Sequence, residues 1–123
     1  GMHTINDEYG FPVGDRVLEK VGQCLRSTKR EYDVVARREG DAFLVLLPGA
    51  DVVAARTVAA RMSKAVADAP FDLDGETRVR VSMGGAVWVP PSAEGPDEVI
   101  FRAGEHLRMA QIRGGGVVLD GDG

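Results

Sequence analysis

Arg30-Glu31-Tyr32-Asp33-Val34-Val35-Ala36-Arg37-Arg38-Glu39-Gly40-Asp41-Ala42-Phe43-Leu44-Val45-Leu46-Leu47-Pro48 reads as a strand over 33–38, a tight turn and a second apolar strand over 43–48. Gly40-Asp41 supplies the turn, since glycine and aspartate both suit a tight hairpin loop. Upstream, Val17, Leu18, Val21, Cys24 and Leu25 recur at three- and four-residue spacing, which predicts a helix over 15–27 with Asp15 at its N-cap. Downstream, Asp51 heads a second helix to residue 69, with Ala55, Val58, Ala59, Met62 and Val66 on one face and Pro70 marking its end. Val79, Val81 and Met83 alternate with polar residues in a long strand over 77–89. A third helix over 97–113 stops at Gly114-Gly115-Gly116, and Val117-Val118-Leu119 forms a last strand before a Gly/Asp tail expected to fray. The order predicts one α/β (α+β) domain, a single mixed sheet covered by helices in the ferredoxin-like manner.

Composition narrows the function classes. The chain has 123 residues, enough for one domain and one core. A formal charge of -4 and the lack of any Lys/Arg run argue against nucleic acid as a partner. No apolar run approaches the roughly 20 residues that cross a bilayer, so membrane insertion is not expected. Cys24 is the only cysteine, which excludes an internal disulfide and a thiolate zinc cluster. With no secretory signal visible, a cytoplasmic location is the expectation.

Several segments, in order, carry a resemblance: Ile5-Asn6-Asp7-Glu8-Tyr9-Gly10, Gly14-Asp15-Arg16-Val17-Leu18, the 33–48 hairpin with its Glu39-Gly40-Asp41-Ala42-Phe43 centre, Val81-Ser82-Met83-Gly84, and Ala103-Gly104-Glu105-His106-Leu107 through Ala110-Gln111. Together they resemble the GGDEF family, the bacterial diguanylate cyclases, whose palm-like fold resembles that of nucleotidyl cyclases. The likeness covers nearly all of residues 1–123, taken as one GGDEF domain. That family joins two GTP molecules into cyclic di-GMP, with two domains face to face and metal ions on each GTP.

The resemblance implies roles at particular positions. Asn6 and Asp15 match guanine readers, although residue chemistry alone makes Asp15 a helix cap and Asn6 a polar loop residue. Arg30 and Asp33 match an R-x-x-D pair that binds cyclic di-GMP at an inhibitory site, with Arg61 the assisting arginine from the next helix. Read without the family, the three are a surface ion pair and an exposed helix arginine. Asp41 matches a metal-binding acidic position, or else serves only the turn.

The same comparison implies losses. Glu39 stands where the family has glycine, Ala42 where it has a second acidic residue, and Gln111 where it has a phosphate-facing lysine. The family's strand before the Ile5-Asn6-Asp7 segment carries a metal-ligating aspartate, and Met2-His3-Thr4 has no carboxylate, so the domain reads as N-terminally incomplete. The expectation is a domain impaired as a cyclase, with no firm cofactor and magnesium only if GTP binding persists. Its implied partners are cyclic di-GMP, GTP, and a second copy or a partner signalling domain. The other readings are a residual diguanylate cyclase and a structural dimerisation module.

Overall fold

The structure is a computed structural model that describes residues 10–38, 42–71, 79–89 and 91–122. The first helix, α1, spans Phe11–Thr28, and the expected apolar face is its buried face: Val17, Leu18, Val21, Cys24 and Leu25. It begins four residues earlier than its hydrophobic pattern indicates. Gly10, at φ 87, turns the chain into the helix, and Pro12 lies in the first turn, where a missing N–H costs nothing. Asp15 is therefore not the N-cap: it lies within α1 and is exposed.

Strands β1 (Val34–Arg37) and β2 (Phe43–Leu46) pair antiparallel, from Val34 opposite Leu46 to Arg37 opposite Phe43. The Arg38 N–H donates to the Ala42 carbonyl at 2.9 Å and closes the hairpin at its turn. Helix α2 spans Val52–Asp68 and is capped as expected, the Asp51 carboxylate accepting from the Ala54 N–H at 2.8 Å. Val58, Met62 and Val66 form its buried stripe at four-residue spacing.

Strand β3 is short, Ser82–Gly84; residues 72–78, where the long strand was expected to start, lie outside the described residues. Helix α3 spans Pro96–Ile112. Gly114 and Gly115, at φ 89 and 127, return their N–H groups to the Gln111 and Ala110 carbonyls and end it. Strand β4 (Gly116–Val118) pairs parallel to β3, with Met83 opposite Val117. The helices and both kinds of strand pairing are those expected. Among the described residues, however, the pairing falls into two two-stranded sheets rather than one sheet.

The chain divides into two compact units. In the first, residues 1–48 with 61–80, α1 packs on β1, and the core holds Leu18, Val21, Leu25, Met62, Val66 and Val79. In the second, residues 49–60 with 81–123, α3 covers β3 and β4 over Ala110, Val118 and Leu119. Arg102 on α3 donates to Asp120 at 3.0 Å and to the Val87 carbonyl at 2.7 Å, and also pairs with Glu94. Asp120 in turn accepts from the Val87 N–H at 2.7 Å. Asp122 accepts from the Leu119 N–H at 2.9 Å and from Arg56 at 2.7 Å. The tail that was expected to fray is thus tied down by its two aspartates. Trp88 is about half exposed at 48% and held by its indole N–H on the Glu94 carbonyl.

Candidate functional site at the α1–β1 corner

Helix α1 ends at a corner built by local hydrogen bonds. The Thr28 hydroxyl turns back to the Cys24 carbonyl at 2.9 Å, and Lys29, with ψ 156, leaves the helix in extended backbone. The next four residues form a closed turn. The Arg30 N–H donates to Asp33 Oδ2 at 2.9 Å, and the Asp33 N–H returns to the Arg30 carbonyl at 3.1 Å. A bond from an aspartate side chain back to the backbone N–H three residues earlier is one of the local patterns that close such a turn.

The side chains of that turn meet each other. Arg30 Nε lies 2.9 Å and 3.0 Å from the two Asp33 oxygens, and Nη2 lies 2.7 Å from Oδ1. Nη2 also donates to the Pro48 carbonyl at 3.1 Å, where β2 leaves the hairpin. The Asp33 side chain is wholly buried, whereas that of Arg30 is 36% exposed. Asp33 is the one buried charged residue among those described. A buried carboxylate is stable only when paired and hydrogen-bonded, and Arg30 supplies both.

Arg61 comes to the same corner from α2. It is exposed, and its Nη2 donates to the Thr28 carbonyl at 3.3 Å. Lys29 Nζ lies 3.3 Å from the Arg30 carbonyl. Arg30, Asp33 and Arg61, matched only by resemblance in the sequence, thus share one unit and one corner, and Lys29 adds a third cation that sequence reasoning did not single out.

The bonds from Arg30 hold the Asp33 carboxyl below the ordinary carboxylate range, against the opposing effect of burial. A depressed pKa in the folded state means that the unfolded chain takes up the proton first as pH falls. The stabilisation is therefore complete above the ordinary carboxylate value of about 4 and declines as pH drops through the folded value. Acid unfolding of the wild type should show this loss, and Asp33→Asn should flatten it. Asp120 and Asp122 are also lowered, so some slope should remain. An Asp33→Asn curve parallel to wild type below pH 4 would contradict the assignment.

The second group of expected residues is only partly described. Asn6, Glu39, Gly40 and Asp41 lie outside the described residues, so no geometry is assigned to them. Ala42 and Phe43 are half-buried where the hairpin enters β2. Gly22 on α1 allows the Phe43 ring to pack closely, since a Cβ there would stand 3.2 Å from it. A cavity of about 360 Å³ lies beside them, lined by Leu18, Glu19, Gly22, Gln23, Arg26, Arg37 and Phe43. Gln111 is exposed in the last turn of α3. Among the described residues no cluster of three His, Cys, Asp or Glu side chains could hold a metal ion. Ala42 brings no side-chain oxygen to the hairpin.

The order of helices and paired strands is common to many α/β domains and identifies no function by itself. The family description "Diguanylate cyclase, GGDEF domain" matches residues 2–116, and the chain belongs to the GGDEF family. It is 38% identical over 113 residues to the uncharacterized protein YhcK of Bacillus subtilis, covering 90% of this chain and 31% of YhcK. It is 33% identical to the diguanylate cyclase DgcP of Pseudomonas aeruginosa, covering 89% of this chain and 16% of DgcP. The chain therefore spans under a third of the length of these two relatives. Among solved structures it resembles the diguanylate cyclase SiaD of Pseudomonas aeruginosa, crystallised with its activator SiaC, at 29% identity and a TM-score of 0.84, over 96% of this chain and 45% of SiaD. It also resembles the GGDEF domain of PA1120 from the same organism, at 30% identity and a TM-score of 0.80, over 96% of this chain and 74% of that domain. Among the described residues no helix is long and apolar enough to cross a membrane.

Proposed function

We propose that this GGDEF domain is a receptor or regulatory module for cyclic di-GMP, impaired as a cyclase, and that it binds the dinucleotide through Arg30, Asp33 and Arg61. The observation that carries the reading is the convergence at the end of α1. Arg61 reaches the Thr28 carbonyl from α2, two residues ahead of Arg30, in the same compact unit. Cyclic di-GMP offers two phosphodiester charges and guanine edges. Arginine forks suit both, and a carboxylate accepts from guanine's ring N–H and amino group.

Impaired catalysis follows from residue chemistry. Transfer of a nucleotidyl group depends on positioning and on charge stabilisation by metals and donors. Glu39 adds negative charge where a triphosphate would approach, Ala42 removes an acidic contact, and Gln111 is neutral where the family has lysine. Losing one stabilising donor costs about 10²–10³ in rate. GTP contacts through Asn6 and Asp15, with magnesium at Asp41, remain the alternative use of the domain.

Two assays test the reading. Titration calorimetry should give saturable heat with cyclic di-GMP and little with GTP plus magnesium. Chromatography after incubation with GTP and magnesium should find no cyclic di-GMP. Steady product formation abolished by Asp41→Asn would restore the cyclase. Absence of any response to cyclic di-GMP would remove the receptor reading.

A further inference from the structure

We infer that Arg30 is an internal competitor for Asp33: in the free protein its guanidinium occupies the carboxylate that guanine's ring N–H and amino group would otherwise engage. The inference deepens the proposed cyclic di-GMP site and rests on that reading for its natural ligand. Both Asp33 oxygens are filled, Oδ1 by Nε and Nη2 of Arg30, Oδ2 by Nε and the Arg30 backbone N–H. The Asp33 side chain has no exposed surface, so a base cannot reach it while Arg30 stays in place. Arginine presents two parallel N–H donors on one edge, and so does guanine. Adenine carries no such pair. The carboxylate is therefore already shaped for a two-donor edge.

The pair can open without dismantling the turn. Arg30 is 36% exposed, and its other anchor is an exposed bond to the Pro48 carbonyl. The bond from the Arg30 backbone N–H to Oδ2 is independent of the guanidinium and keeps the carboxylate in place. A swing of Arg30 uncovers Asp33 and frees the guanidinium fork for the acceptor edge of a guanine. Binding then has an opening step, and selectivity for guanine appears only after it.

The test uses 5′-GMP and 5′-AMP at millimolar concentration, followed by chemical shifts of the Asp33 turn. Wild type should bind both weakly and with little preference. Arg30→Ala should prefer GMP by roughly tenfold, the size of one bidentate base contact. Asp33→Asn placed on that background should abolish the preference. If Arg30→Ala fails to fold, Arg30→Lys removes the two-donor fork while keeping the charge, and the same ordering is expected. Equal binding of the two nucleotides by the Arg30 variant, or a wild-type preference as large as the variant's, would overturn the inference. A variant preference for GMP in a protein whose wild type ignores cyclic di-GMP would sink the receptor reading while sustaining the competition.

Discussion

Gly84→Ala should destabilise the domain by about 3 kcal/mol in chemical unfolding, the upper end of what overpacking costs. A Cβ at Gly84 would stand 1.9 Å from the Leu107 backbone nitrogen, 2.4 Å from its Cα and 2.5 Å from the Ala103 carbonyl oxygen. All three atoms belong to the backbone of α3, which cannot move aside without lifting the helix off β3. The cost is steric, because Gly84 is not among the glycines with positive φ. The neighbouring glycine is the control. A Cβ on Gly85 would meet only Leu119 Cδ2, at 2.5 Å, and a leucine methyl can rotate away. Gly85→Ala should therefore cost about 1 kcal/mol, mostly in lost leucine packing. Equal effects at the two positions, or none at Gly84, would mean that α3 does not lie on β3 as described.

The second large effect is on ligand affinity. Arg30→Ala should weaken cyclic di-GMP binding by roughly tenfold, the low end for one bidentate base contact because the same substitution also uncovers Asp33. Arg61→Ala should weaken binding less, since an arginine meeting only phosphate acts as an exposed charge. That smaller loss should shrink further as salt is raised. Asp33 substitutions are poorer probes, because its carboxylate also closes the turn through the Arg30 N–H. Calorimetry on the wild type and the two arginine variants checks the order. An Arg61→Ala loss exceeding that of Arg30→Ala would place the main contact on α2.

The elements most visible in the sequence were those with a long hydrophobic period or a chemical stop. Helix α2, bounded by Asp51 and Pro70, and helix α3, stopped by three glycines, stand within a residue or two of their expected limits. Helix α1 begins earlier than its apolar stripe because Gly10 and Pro12 can start a helix without contributing to its buried face. Of the strand expected over 77–89, the described residues 79–89 are paired only at Ser82–Gly84, since alternation reports a half-buried extended chain and not which stretch finds a partner. The site was legible only as letters. R-x-x-D put Arg30 and Asp33 near one another, but the full burial of the Asp33 side chain and the arrival of Arg61 at Thr28 from α2 carry no mark in that four-letter pattern. The ties of Asp120 and Asp122 to Val87, Arg102 and Arg56 carried no local signal, because their partners lie 18 to 66 residues away.

The central claim is that cyclic di-GMP is read at the α1–β1 corner. The most direct measurement follows the arginine side-chain Nε–Hε resonances of the wild-type domain by NMR during titration with the dinucleotide. The account predicts that the Arg30 resonance moves away from its Asp33-paired position as the ligand saturates, with Arg61 shifting along the same binding curve. Saturable binding that leaves both resonances unmoved, or no binding at all, would contradict it.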